Sequence, residues 1–174
     1  MKKYFLDSSF IMALVLDSDS NYDKAVNLKY VLKENCFINN NVLNEVLTLA
    51  GRKLNIYSAK EIYYNLIDSF EVLNEYSLFN YNSENFKIFE NYVGSNSNKT
   101  KLSFTDSSII LTMNKFNIYN LVTFDKEFKR VEGINLLGLW NFIFFLKKVI
   151  SEGFLFFVFW GCDTKSQFFL ILID

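Results

Sequence analysis

"KKYFLDSSFIMALVLD", residues 2 to 17, opens the chain with an apolar run that a single carboxylate, Asp7, interrupts before the run resumes. Residues 2 to 6 have the length and apolar, aromatic content of a short buried strand. Asp7-Ser8-Ser9 are good helix N-cap types, and "FIMALVL" continues as a helix. A strand that feeds a helix through an acidic turn is half of a βαβ unit. A carboxylate at that junction must be solvated, hydrogen-bonded, paired or bound to a metal, because burying an isolated charge costs several kcal/mol or more.

The same stretch superficially resembles a secretory leader, with Met1-Lys2-Lys3 as a charged start. Asp7 argues against this, since an aspartate near the centre of an inserting helix costs about 2.5–3.5 kcal/mol. No small-residue cleavage site follows Leu16. The chain reads as starting at a folded, cytoplasmic domain.

The rhythm continues outward. "YDKAVNLKYVLKEN" has helical periodicity, "CFINN" reads as a second strand, and "NNVLNEVLTLAGRKL" as a major helix ending near Gly51. "SAKEIYYNLIDSF" is helix, "EVLNEY" strand, "NSENFKIFENYVGS" helix and "SNSNKTK" a polar loop. "LSFTDSSIILTMNKFN" is helix, "YNLVTFD" strand and "INLLGL" a last strand. Strands alternating with helices of this length predict an α/β fold with a parallel sheet covered on both faces. A chain of 174 residues can bury a full core without staples.

Composition limits the chemistry. The two cysteines, Cys36 and Cys162, suggest no disulfide framework. A net charge of −1 gives no global pull toward nucleic acid, so a polyanionic substrate needs a local basic patch or a metal. With no histidine, the commonest general base and zinc ligand is missing. Chemistry here must run on carboxylates, hydroxyls, amines or a hard metal ion.

Four carboxylates stand where an α/β fold can gather them. Asp7 and Asp125 end strands, and sites in open parallel sheets form at the carboxyl ends of strands. Each also fits an N-cap. Ser103-x-x-Asp106 fits a capping box at the start of a helix. On the helix containing Glu45, the apolar arc is Val42, Val46, Leu49, Ala50, Leu43 and Leu47, and Glu45 falls roughly 40° beyond its Leu49 edge. If the four converge to about 5 Å, each pair repels by roughly 3 kcal/mol at an effective dielectric of 20. Such a cluster persists only with protons or a cation, and oxygen ligands without histidine imply Mg²⁺ or Mn²⁺.

"YFLDSSFIMALV", "NNNVLNEVLTLAGRK", "LSFTDSSIILTMNKF" and "LVTFDKEF" resemble, in order and spacing, the motifs of PIN-domain ribonucleases, particularly the VapC-type toxins of toxin–antitoxin pairs. The resemblance covers residues 2 to 138. It implies a parallel sheet of about five strands and an acidic, metal-binding cleft that cuts RNA. It carries Asp7, Glu45, Asp106 and Asp125 over as the catalytic and metal-binding quartet, with Ser8 and Thr105 as hydroxyl partners and Glu127 as a further acidic position. It implies an antitoxin partner as well. Lys99, Lys101, Lys126, Lys129, Arg52 and Arg130 flank the acidic motifs and could hold backbone phosphates, or could be ordinary solvated surface. A PIN-like module that binds RNA or protein without cutting is the alternative.

Residues 1 to 138 are thus expected to be a nuclease domain, and 139 to 174 a hydrophobic, aromatic-rich extension. All ten tyrosines precede residue 139, while both tryptophans, Trp140 and Trp160, follow it. "LWNFIFFL" and "FLFFVFW" each fall short of the roughly 18 apolar residues that a membrane helix needs. The extension is expected to pack on the domain or across a homodimer contact rather than to enter a membrane.

Overall fold

The computed structural model describes residues 1–93 and 100–139. The opening stretch folds as read: β1 spans Lys3–Leu6 and α1 spans Ser8–Val15, with Asp7 at the junction. Tyr4, Phe5 and Leu6 are consecutive and all buried. Successive strand residues point to opposite faces, so β1 is covered on both sides and lies at the centre of the sheet.

The remaining elements are α2 (Tyr22–Asn27), β2 (Asn35–Asn39), α3 (Asn40–Lys53), α4 (Ile56–Ser69), β3 (Glu71–Leu73), α5 (Tyr81–Val93), α6 (Phe104–Phe116), β4 (Asn120–Val122) and β5 (Asn135–Leu137). Every strand pairing is parallel, and the sheet order is β3-β2-β1-β4-β5. The expected α/β class and five-stranded parallel sheet are both found. The chain builds one half of the sheet outward from β1 through β2 to β3, then returns to lay β4 and β5 on the other side. The topological switch therefore falls between β1 and β4, where Leu6 pairs with Val122. A crevice opens at the carboxyl ends of two strands at such a point.

Four segments depart from the sequence reading. "YNLVTFD" is strand only over Asn120–Val122, so Asp125 lies three residues beyond the end of β4, where it caps the 3₁₀ turn Lys126–Arg130. The helical run after Tyr22 is broken, α2 ending at Asn27 and a 3₁₀ turn filling Lys29–Lys33. "EVLNEY" is strand only to Leu73, and a 3₁₀ turn at Glu75–Ser77 takes over because the Glu75 carboxylate is drawn to the start of α3. The last strand is shorter than "INLLGL": it stops at Leu137, before Gly138 at φ +98°. A Cβ on Gly138 would lie 2.5 Å from the Thr123 carbonyl oxygen, so the end of β5 closes against β4's exit only because this residue has no side chain.

The core is built on Phe5, Phe10, Ile38, Val42, Ile109, Met113, Leu121 and Phe128, all at most barely exposed. Burying side chains of this size is worth roughly 1.5–3 kcal/mol each relative to exposure. The described residues lie in one unit, Met1–Leu139. Lys99 and the extension from residue 140 onward lie outside the described residues. Among the described residues no helix is long and apolar enough to cross a membrane.

Candidate active site

Asp7 answers the question its position raises. It is only 3% exposed and sits at the N-cap of α1, yet its side chain makes no capping hydrogen bond. It turns instead to hydroxyls. Thr123 Oγ1 donates to Asp7 Oδ2 at 2.7 Å, Ser9 Oγ donates to the same oxygen, and Ser8 Oγ donates to Oδ1 at 3.4 Å. Two of those hydroxyls also accept from the main chain: Phe124 N donates to Ser9 Oγ at 3.0 Å and Asp125 N to Thr123 Oγ1 at 2.9 Å. The two hydroxyls also lie 3.3 Å from each other, and for both of them Asp7 Oδ2 is the nearer acceptor. Burial still pushes the Asp7 carboxyl above its usual range, with the hydrogen bonds from Ser9, Thr123 and Ser8 opposing and the Asp125 charge reinforcing.

Asp125 and Asp106 serve as caps and stand near Asp7 at once. Asp125 Oδ1 accepts from Glu127 N at 2.9 Å, capping the 3₁₀ turn Lys126–Arg130. In the capping box at α6, Asp106 N donates to Ser103 Oγ at 3.1 Å and Ser103 N donates to Asp106 Oδ2 at 2.6 Å. Asp106 is nevertheless pushed up to about 6, first by burial and then by the charges of Asp7 and Asp125, against the hydrogen bonds from Ser103. Glu45 is an exposed residue of α3 whose carboxyl end is shielded enough from water to raise its pKa. The Ser8 hydroxyl opposes that rise, and Asp7 and Asp125 add to it. β1, α3, α6 and the exit of β4 therefore bring one carboxylate each into the same electrostatic neighbourhood.

The other residues singled out from the sequence fall in varied places. Ser8 is buried at the cluster. Thr105 is half-buried beside Asp106, and its carbonyl accepts from Ser108 Oγ at 2.7 Å. Glu127 points its Oε2 at Lys101 N, 2.7 Å away, and so ties the segment before α6 to the turn after β4. Lys101, Lys126 and Arg130 are exposed around that junction, and Arg52 is exposed in the last turn of α3. Ser9 and Thr123 were not anticipated as partners of Asp7. Their only signal in the sequence is a small hydroxyl two residues from each strand-end aspartate.

Among the described residues, no three His, Cys, Asp or Glu side chains are drawn together as a ready-made metal cage. The donor chemistry does fit a hard cation: the four carboxylates offer only oxygens, and Asp7, Glu45 and Asp106 are each held above their usual ionisation range by burial and by neighbouring carboxylates. A divalent ion would relieve both effects.

The PIN-domain family profile matches residues 4–134. The chain belongs to the PIN-domain family. Solved structures with this PIN fold include VapC20 of Mycobacterium tuberculosis, described as a toxin that cleaves the sarcin–ricin loop, at 21% identity and a TM-score of 0.62 over 75% of this chain and 96% of that one. The DNA-bound VapBC of Salmonella typhimurium is similar at 18% identity and a TM-score of 0.58, over 79% and 98% of the two chains. VapBC2 of Rickettsia felis, bound to a fragment of its promoter DNA, is similar at 17% identity and a TM-score of 0.59, over 78% and 97%. At these identities the likeness is one of fold. No curated protein sequence matches the chain.

Proposed function

We propose that this PIN-domain chain is a Mg²⁺- or Mn²⁺-dependent ribonuclease that hydrolyses phosphodiester bonds in RNA, and the toxin of a toxin–antitoxin pair. The observation that carries the proposal is that, at the carboxyl ends of β1 and β4, Asp125 adds to the burial that raises Asp7, and the charges of Asp7 and Asp125 add to the burial that raises Glu45 and Asp106. Family membership and the VapC and VapBC structures of like fold support it. The same proposal makes residues 1 to 138 the nuclease domain and the cytoplasm its site of action. An antitoxin and a second copy of the chain are its protein partners.

Asp7, Glu45, Asp106 and Asp125 would hold the cation, which when bound acidifies and orients water and neutralises charge developing on the phosphate. Ser9 and Thr123 keep Asp7 in one rotamer, so its carboxylate needs little reorganisation. Ser103 does the same for Asp106. Lys101, Lys126 and Arg52 supply positive charge along the path of the RNA backbone. Arg52 lies seven residues beyond Glu45, about 10 Å further along the same helical face.

The absence of a ready-made cage among the described residues favours one rival, a PIN module that binds RNA without cutting it. Incubating the full chain with a single-stranded RNA oligonucleotide separates the two. The ribonuclease cleaves in millimolar Mn²⁺ and stops in excess chelator, whereas the rival retards the RNA equally in both and leaves it intact.

A further inference from the structure

Among the described residues two carboxylates are buried, Asp7 and Glu75, and Glu75 is 0% exposed. A buried charge that lacked strong partners would be strongly destabilising. Glu75 finds its partners at the start of α3, 34 and 35 residues back in the chain. Asn41 N donates to Oε1 at 2.8 Å, while Asn40 N and Asn40 Nδ2 each donate to Oε2 at 3.0 Å. Val42 N donates to Asn39 Oδ1 at 3.0 Å. The first three amides of α3, which no intrahelical carbonyl can satisfy, are therefore all engaged. The negative charge also lies at the positive end of the helix dipole.

The same turn is fastened to α6. Asn41 Nδ2 donates to Ser108 Oγ at 3.0 Å and to Tyr81 Oη at 2.7 Å, and Tyr76 Oη donates to Asn41 Oδ1 at 2.6 Å. Asn39 Nδ2 donates to Ser108 Oγ and to Thr112 Oγ1, both at 3.2 Å. Glu45 follows Asn41 by about one turn of α3, and Ser108 follows Asp106 by about half a turn of α6. Glu75 thus anchors the turn of α3 that leads to Glu45, and Asn39 and Asn41 of that turn bond to α6 just beyond Asp106.

We propose that Glu75 is a positioning residue for the acidic cluster, fixing through the first turn of α3 and the Asn41–Ser108 link the separation of Glu45 from Asp106. This rests on the assignment of both residues to one cation site. A misplacement of about 1 Å can cost on the order of 100-fold in rate, so the effect should be large.

The test uses the full chain with Glu75→Gln, Asn41→Ala and, as a control, Asn55→Ala, which removes the N-cap hydrogen bond of α4. Mn²⁺ affinity is read by calorimetry, RNA cleavage by its kcat and KM, and stability by thermal melting. For Glu75→Gln the expected result is Mn²⁺ affinity weaker by at least about tenfold and kcat lower by about 100-fold, with KM for RNA little changed. Asn55→Ala should lower the melting temperature and leave affinity and kcat alone. If Glu75→Gln does not fold, Asn41→Ala decides, since it keeps the Glu75 bonds to the main chain and removes the Asn41–Ser108 link that the proposal names, while the Asn39 bonds to Ser108 and Thr112 still hold α3 on α6. Wild-type affinity and kcat in the folded variant overturn the proposal, as does a loss in Asn55→Ala of the same size. Failure of the wild type itself to bind Mn²⁺ or cleave RNA counts against the ribonuclease assignment instead. The positioning role is then read from a crystal structure of Asn41→Ala: a Glu45–Asp106 separation changed by about 1 Å supports it, and an unchanged one refutes it.

Discussion

Thr123 Oγ1 donates to Asp7 Oδ2 at 2.7 Å while accepting from Asp125 N at 2.9 Å, so one hydroxyl joins the two strand-end aspartates across the centre of the sheet. Thr123→Val keeps the shape, removes a donor from a buried carboxylate and orphans the Asp125 amide. A loss of about 1–3 kcal/mol is expected, measured by urea unfolding at neutral pH. A variant as stable as wild type would mean that the hydroxyl does not organise the site.

The raised carboxylates make a signed prediction about pH. Asp106 moves from 3.8 up to about 6, and Asp7 and Glu45 move in the same direction. A raised carboxyl pKa favours the folded state fully below the unfolded value and loses that contribution as pH rises through the folded one. The metal-free protein should therefore be less stable at pH 7.5 than at pH 5, by about 1 kcal/mol from Asp106 alone. Mn²⁺ at a hundred times its dissociation constant should add about 2.7 kcal/mol at the higher pH. Chemical denaturation at the two pH values, with chelator and with Mn²⁺, checks both signs.

Much of this was legible in the sequence, for identifiable reasons. Strand and helix show their periods locally, and Asp7 stands out because a carboxylate in an apolar run needs a partner. The capping box at Ser103 and Asp106 is a spacing rule that the structure obeys. Ser9 and Thr123 were hidden because a short hydroxyl in a turn looks like any other cap. Glu75 was hidden because its partners are main-chain amides 34 and 35 residues away, which no local pattern records, and "EVLNEY" therefore looked like uninterrupted strand.

Gly138→Ala tests how β5 supports the site. The added methyl meets the Thr123 carbonyl at 2.5 Å, and the backbone is at φ +98°. A cost of about 1–3 kcal/mol is expected from the backbone conformation, with further destabilisation from the clash. Thermal melting reads the stability, and a weakened Mn²⁺ affinity would trace the strain to Thr123 and Asp7. A melting temperature unchanged from wild type would contradict this closure.

Lys101, Lys126 and Arg52 are assigned to binding backbone phosphates. Replacing each with Ala should raise KM for RNA with kcat little changed. The dependence of log affinity on log salt should also become shallower by about 0.7 for each phosphate of a single strand that is no longer neutralised. Binding titrations between about 50 and 200 mM salt measure this. An unchanged slope in all three variants would return these residues to ordinary surface.

The central claim is that four carboxylates form one cation site that cuts RNA, and Asp7→Asn tests it most directly. The asparagine carbonyl can accept from Ser9 and Thr123 while its amide faces Ser8, so the fold should survive, and at pH 7.5 the metal-free variant should melt no lower than wild type. The decisive measurement is the rate of Mn²⁺-dependent cleavage of a single-stranded RNA by the purified full chain, wild type beside Asp7→Asn. The predicted result is cleavage by the wild type and background from the folded variant. Cleavage by Asp7→Asn at the wild-type rate would contradict the account.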